Sequence, residues 1–289
     1  MSKLFREMQD AEKHSVQQPM NSAAVAELLA GIRTEAEAAR TASPTVLPEY
    51  RRISIPALQR PILRTGQEDP STHAAFESYR SLRTKLTRFQ SAQGIRSFVV
   101  SSSVAGEGKT ISALNLAMCL AQLETQRVLL VDADIRTSGL SKLLGAEKEP
   151  GLADILAGRA SYRDSVLATD IPRLCLVGAG ELLGAAADLF AGSEWAEFIA
   201  SCNQSFDMVV VDSPPMLGLA DFDLISAACD GVLMVVRAGK TKCEILTEAR
   251  QHLQDKKVLG VILNGYELQR NHSYNYQYYY SSGHKTRRS

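Results

Sequence analysis

Three features of this 289-residue sequence predict an α/β protein with a mostly parallel central sheet flanked by helices. Strand-like and helix-like segments alternate along its middle. The strand-like segments are continuous apolar runs such as VLLV, MVVV and VLGVIL, as strands buried on both faces require. Two of these runs end on aspartates, and a glycine-rich loop joins the first strand to the helix after it.

In chain order, residues 1–72 come first, with Pro19, Pro44, Pro48, Pro56, Pro61 and Pro70 interrupting any regular element. They are expected to form a largely disordered tether. Within it, Val25, Leu28, Leu29 and Ile32 recur at helical spacing, which fits either a transient helix or one that docks a partner. Residues 73–265 are expected to form the folded domain. It opens with a helix from His73 to Gln90, where Phe76, Tyr79, Leu82, Leu86 and Phe89 fall at three- and four-residue steps and make one face apolar.

The predicted strands are Ser97 to Ser101, Arg127 to Val131, Leu174 to Val177, Met208 to Val211, Gly231 to Val236 and Val258 to Leu263. The helices between them are Lys109 to Leu123, Ser193 to Asn203, Asp221 to Cys229 and Glu244 to Leu253. Residues 266–289 change character. They hold the run YNYQYYY from Tyr274 to Tyr280 and a basic end with Lys285, Arg287 and Arg288, and are expected to be a flexible tail.

Composition narrows the function. The hydrophobic share of 45% and charged share of 22% are those of an ordinary globular protein. Lys plus Arg equals Asp plus Glu at 32 each, which argues against a dedicated nucleic-acid binder. The five cysteines, Cys119, Cys175, Cys202, Cys229 and Cys243, form no Cys-x-x-Cys pair and suit a reducing cytosol, with buried thiols the expected role. No apolar run approaches the roughly 18 residues of a membrane span, and the start lacks a signal-peptide pattern. A soluble, cytoplasmic protein is expected.

The segment SSSVAGEGKT, Ser101 to Thr110, lies between a strand and a helix, the context of a phosphate-binding loop. Gly106 and Gly108 allow the backbone to curl so that amides point at phosphates, and the helix N-terminus adds its dipole. Lys109 would neutralise the β- and γ-phosphates, and Thr110 would offer its hydroxyl to Mg2+. Ser103 stands where the usual pattern begins with glycine. Asp132 and Asp134 follow one buried strand and Asp212 another, and in an open parallel sheet ligands gather at these strand ends. The fold class is therefore a P-loop NTPase fold binding nucleotide and magnesium, with Asp212 as the Walker B acid. The additional Asp-x-Asp points to a base for a hydroxyl acceptor or a further metal contact.

Together these residues resemble the bacterial tyrosine kinases of capsule and exopolysaccharide systems, the BY-kinases, over roughly Ala74 to Tyr280. The shared marks are Gly106-Glu107-Gly108-Lys109, the Walker A′ strand Leu129 to Arg136, the Walker B segment Val209 to Pro215, and the tyrosine cluster. The resemblance implies an ATP- and Mg2+-dependent protein-tyrosine autokinase in which Lys109, Asp132 and Asp134 are catalytic. Asp132 would orient or deprotonate the tyrosine hydroxyl, and Thr110, Asp134 and Asp212 would hold the metal. Nucleotide contacts are implied for Ser103, Val104, Ala105, Gly106, Glu107, Gly108, Lys109, Thr110, Ser112 and Asn264. The acceptors would be Tyr274, Tyr276, Tyr278, Tyr279 and Tyr280 of a neighbouring subunit, and Glu77, Arg80 and Arg83 would make subunit contacts in a homo-oligomer such as a ring. Implied partners are a separate transmembrane activator of the polysaccharide co-polymerase type, recruiting the chain to the inner face of the membrane, and a tyrosine phosphatase.

The sequence departs from the family pattern twice. Ala105 replaces a loop proline, and Ala185-Ala186-Ala187-Asp188-Leu189-Phe190 stands in for an Asn-Pro-x-Glu-Leu-Leu-like stretch. The competing reading is a partition or cell-division ATPase working as a nucleotide-switched dimer. Such proteins carry a second lysine early in the loop, where this chain has Val104, and have no tyrosine tail.

Overall fold

The computed structural model describes residues 50–56 and 70–266. Its strands, in chain order, are β1 (Arg51–Ile53), β2 (Ser97–Ser102), β3 (Val128–Asp132), β4 (Val166–Thr169), β5 (Leu174–Val177), β6 (Met208–Asp212), β7 (Gly231–Arg237) and β8 (Val258–Asn264). They form one sheet in the order β1-β4-β5-β3-β6-β2-β7-β8. All pairs are parallel except β4 with β5. The central strands β2, β3, β5 and β6 are buried along their whole length, which is why their sequences are unbroken apolar runs.

The helices are α1 (Pro70–Gln93), α2 (Lys109–Ala121), α3 (Gly139–Leu144), α4 (Leu152–Leu156), α5 (Tyr162–Ser165), α6 (Ala186–Ala191), α7 (Ser193–Ser205), α8 (Asp221–Ala227) and α9 (Cys243–Gln251). From Ser112 to Ala121 every residue of α2 is buried, so this helix is apolar nearly all round and lies between the sheet and α1. The predicted stripe of α1 does the packing: Phe76 and Leu86 are buried, and Tyr79, Leu82 and Phe89 lie against the same core. A second aromatic cluster joins α6, α7 and α8. Trp195 stacks on Phe198, meets Phe190 edge-on at 5.4 Å, and donates its indole N–H to the Ile225 carbonyl at 3.0 Å.

Every predicted strand and helix from Ser97 onward is present, with ends shifted by a residue or two, and the opening helix is longer at both ends than predicted. The structure adds β1, β4 and the short helices α3 to α6, none of which was read from the sequence. β1 falls inside the expected tether. Its Arg-Arg-Ile carries no apolar alternation and is held by pairing to β4, while Asp170 accepts from the Ile55 amide at 3.2 Å. The Ala185–Phe190 stretch forms α6 without the family proline, burying Ala186 and Phe190. Cys119, Cys175 and Cys202 are buried as expected, but Cys243 is exposed at the start of α9. Among the described residues no helix is long and apolar enough to cross a membrane. The Val25–Ile32 repeat and the tyrosine tail lie outside the described residues.

Leu86 is fully buried where α1 meets the core. Leu86→Ala is expected to lower stability by about 3 kcal/mol, since deleting a buried leucine leaves a cavity that only partly collapses. Urea denaturation of the two proteins checks this.

Candidate functional site

The site lies at the carboxyl ends of β2, β3 and β6. Between β2 and α2 the backbone turns through Gly106 at φ 84° and Gly108 at φ 100°, left-handed values that favour glycine. Outside glycine, positive φ occurs among the described residues only at Ser138 and Arg173. Ser103 therefore occupies its place in the loop without glycine's freedom, and its buried hydroxyl has no hydrogen-bond partner.

The loop is braced from three sides. The buried Glu107 carboxylate accepts from the Val104 amide at 3.1 Å and from the Thr241 hydroxyl, which itself accepts from the Arg237 amide. Asn264, at the end of β8, donates its side-chain amide to the Glu107 carbonyl at 2.8 Å. A Cβ on Gly108 would displace that Asn264 amide from the loop, and the left-handed φ there favours glycine in its own right. Asn264, expected as a nucleotide contact, reaches the backbone of the loop at Glu107. Thr241 was missed: a single threonine in the β7–α9 connection carries no motif.

The acids are placed by strand register. Asp132 ends β3 directly opposite Asp212 at the end of β6, and Asp212 in turn is level with Val100 of β2. Asp132, Asp134 and Asp212 are all buried. The Lys109 ammonium is 2.8 Å from Asp134 and 4.0 Å from Asp212. Burial alone would depress that ammonium, but Asp212 and Asp134 outweigh it and hold its pKa above the ordinary value.

Both Asp212 oxygens are buried without a hydrogen-bond partner. Burial pushes this carboxyl well above the usual range, with Lys109 opposing the shift; Thr110 is near enough to favour the charged form, yet its hydroxyl makes no bond to it. Asp132 is also raised by burial, against two hydrogen bonds from Ser141. Its Oδ2 accepts from the Ser141 amide and hydroxyl, each at 2.7 Å, and its Oδ1 has no partner.

Unpartnered buried carboxylate oxygens are what a cation would satisfy. Among the described residues no three His, Cys, Asp or Glu side chains converge closely enough to enclose a metal. That donor set fits Mg2+, which keeps several waters and takes one or two carboxylates together with substrate phosphates. Asp212, Asp134 and the Thr110 hydroxyl are the groups available to it.

Three features differ from the sequence reading or add to it. Ser112 is buried in α2, where it and Asn115 lie beside Tyr79 of α1, whose own pKa is raised by burial. Arg80 is paired with Glu77 at 2.8 Å and lies over the Phe76 ring, while Arg83 donates to the Cys119 carbonyl at 3.0 Å, tying α1 to the end of α2. Arg136 of the Walker A′ segment makes a two-pronged pair with the buried Asp221 of α8, at 2.6 and 3.1 Å, linking the loops that follow β3 and β6. The acceptor tyrosines lie outside the described residues.

A curled phosphate loop on a parallel sheet, with a paired lysine and strand-end acids, defines a P-loop nucleotide-binding protein. A family model described as an AAA domain matches residues 96–257. The tyrosine-protein kinase YwqD of Bacillus subtilis (strain 168) is 31% identical over 202 residues, 69% of this chain and 85% of that protein. The putative tyrosine-protein kinase EpsB of Ralstonia nicotianae is 32% identical over 70% of this chain, which spans only 27% of that longer protein. The solved BceF tyrosine kinase domain superposes with a TM-score of 0.64 at 27% identity, over 76% of this chain and 93% of that one. The septum site-determining protein MinD from Pyrococcus horikoshii, solved with Mg-ADP, gives 0.51 at 26%, over 59% and 70%. The chain belongs to the bacterial tyrosine-protein kinases, the BY-kinases, and is a protein-tyrosine kinase.

Replacing Asp212 by asparagine removes a buried charge that has no hydrogen-bond partner. Asp212→Asn, which keeps the size of the side chain but not the charge facing Lys109, is expected to lose the added stability that Mg2+ confers with ATP. Melting curves in EDTA and in Mg-ATP check this.

Proposed function

We propose that the protein transfers the γ-phosphoryl group of ATP, with Mg2+, to tyrosines of its own C-terminal segment, presented by a neighbouring copy. The observation that carries this reading is the pair of in-register carboxylates, Asp132 and Asp212, buried with unpartnered oxygens beside Lys109. Beside the Walker B acid, the second carboxylate supplies an acceptor for a hydroxyl proton.

Phosphoryl transfer is mainly a matter of positioning and of balancing charge on the phosphates. The loop amides and α2 N-terminus would hold the phosphates, and Lys109 would leave Asp134 to face them. Magnesium, when bound, neutralises charge on the β- and γ-oxygens. Asp132 would receive the tyrosine proton on its free Oδ1 as the phenolic oxygen bonds to the γ-phosphorus and the bond to the bridging oxygen breaks, releasing ADP. Asp134 and Asp212 suit the metal side of the site, Asp134 because Lys109 already faces it.

Tyr274, Tyr276, Tyr278, Tyr279 and Tyr280 are the proposed acceptors, and each phosphate would add about −1.5 to −2 charge. That charge would drive a modified tail out of the site and loosen an oligomer in which Glu77, Arg80 and Arg83 lie at or near the contacts. By the family resemblance, the cycle regulates exopolysaccharide or capsule synthesis or export. A separate membrane-spanning activator would recruit the chain to the inner face of the membrane, and a phosphatase would reset it. Longer relatives, of which this chain spans about a quarter, fit a kinase that works beside a further segment.

Incubation with ATP and Mg2+ is expected to add phosphate to the 274–280 segment, read by mass spectrometry, and Lys109→Met is expected to abolish it. Mixing a tail-truncated active chain with full-length Lys109→Met should label the latter. Free phosphate with an unmodified tail would overturn the kinase reading in favour of a nucleotide-switched ATPase.

A further inference from the structure

We propose that Ser141 is a positioning residue for phosphoryl transfer: it clamps one oxygen of Asp132 so that the other stays aimed and free for the attacking hydroxyl. The proposal rests on the autokinase reading of the site. Ser141 is buried in the first turn of α3. Its amide and its hydroxyl both donate to the same atom, Asp132 Oδ2, at 2.7 Å each. The same hydroxyl accepts from the Ala179 amide at 2.8 Å.

A serine hydroxyl has a single proton to give. With the Ala179 N–H occupying one of its lone pairs, that proton is directed at Asp132. Two donors on Oδ2 fix the torsion of the carboxylate, and Oδ1 is left buried without a partner. The arrangement therefore divides the two oxygens between anchoring and chemistry.

The clamp is itself fixed by backbone. Ser138 takes a left-handed φ of 50°, and its amide returns to the Asp134 carbonyl at 2.7 Å, so the chain leaving the Asp-x-Asp folds back and brings Ser141 over Asp132. On the far side, the Gly178 and Ala179 carbonyls accept from the Leu152 and Ala153 amides at 2.8 and 2.9 Å. A Cβ on Gly151 would overlap the Gly178 and Gly180 backbone, so this contact between α4 and the end of β5 is closed. Asp154 adds to it, accepting from the Gly151 and Glu181 amides at 3.1 Å each. Ala179 is thus held by main-chain contacts, and it presents its N–H to Ser141 at a set position.

A serine that only fills a buried polar site would affect folding and all functional constants alike. A positioning serine predicts a split. Ser141→Ala and the near-isosteric Ser141→Cys should each slow single-turnover labelling of the 274–280 segment about tenfold or more, while the Kd for ATP with Mg2+ stays within about twofold, because Lys109 and the loop are untouched. Ser141→Thr, which keeps the hydroxyl, should recover most of the rate. Equal labelling rates in wild type and Ser141→Cys, or a rate loss matched by lost ATP binding in Ser141→Cys, would overturn the proposal. Failure of the wild-type protein to label its tail would instead overturn the autokinase reading, so the two failures are distinguishable.

Discussion

Two carboxylates that end adjacent parallel strands at the same level repel each other, and burial raises the cost of charging either. Asp132 and Asp212 are in that position, and the Lys109 ammonium is the group that makes their burial tolerable. It lies within 4.0 Å of Asp212 and bonds Asp134 directly. Much of the neighbouring structure serves this cluster. The all-parallel centre of the sheet brings three strand ends together, the glycine loop delivers Lys109 to them, and Ser141 donates twice to one Asp132 oxygen.

The same balance explains how the site would change on binding. A lysine held by carboxylates is already charged and already aimed at the place where phosphates would sit, so nucleotide binding exchanges one anionic partner for another. The loop around it has little freedom. Glu107 is fixed by Val104 and Thr241, and its carbonyl is held by Asn264, so the phosphate cradle is preformed by contacts from β7 and β8 at the opposite side of the sheet from β3. Arg136 and Asp221 join the loops after β3 and β6, the strands that end on Asp132 and Asp212.

The core of the fold was legible because burial leaves a direct trace in sequence. Strands buried on both faces must be apolar without interruption, and β2, β3, β5, β6 and β7 were read within two residues of their ends. The stripe of α1 was legible for the same reason. β1, β4 and helices α3 to α6 were not, because segments of three to six residues lack a full period, and Arg51–Ile53 is a strand only by virtue of β4 beside it. Ser112 was named as a nucleotide contact; it is buried within α2 beside Tyr79 of α1, a neighbour that the loop motif does not reveal.

Sequence alone picked out the candidate groups: the loop with Lys109 and Thr110, the acids at strand ends, and the tyrosines that follow the domain. These are local patterns, since a phosphate loop and a strand-end acid need only their own few residues to be recognised. Tertiary structure alone decided which acid oxygens are held and which are free, that Asp132 stands level with Asp212, and that Ser141, Thr241, Asn264 and Asp221 are the groups bracing the site. Those facts depend on strand register and on contacts between residues from 9 to 157 positions apart, which no local spacing encodes.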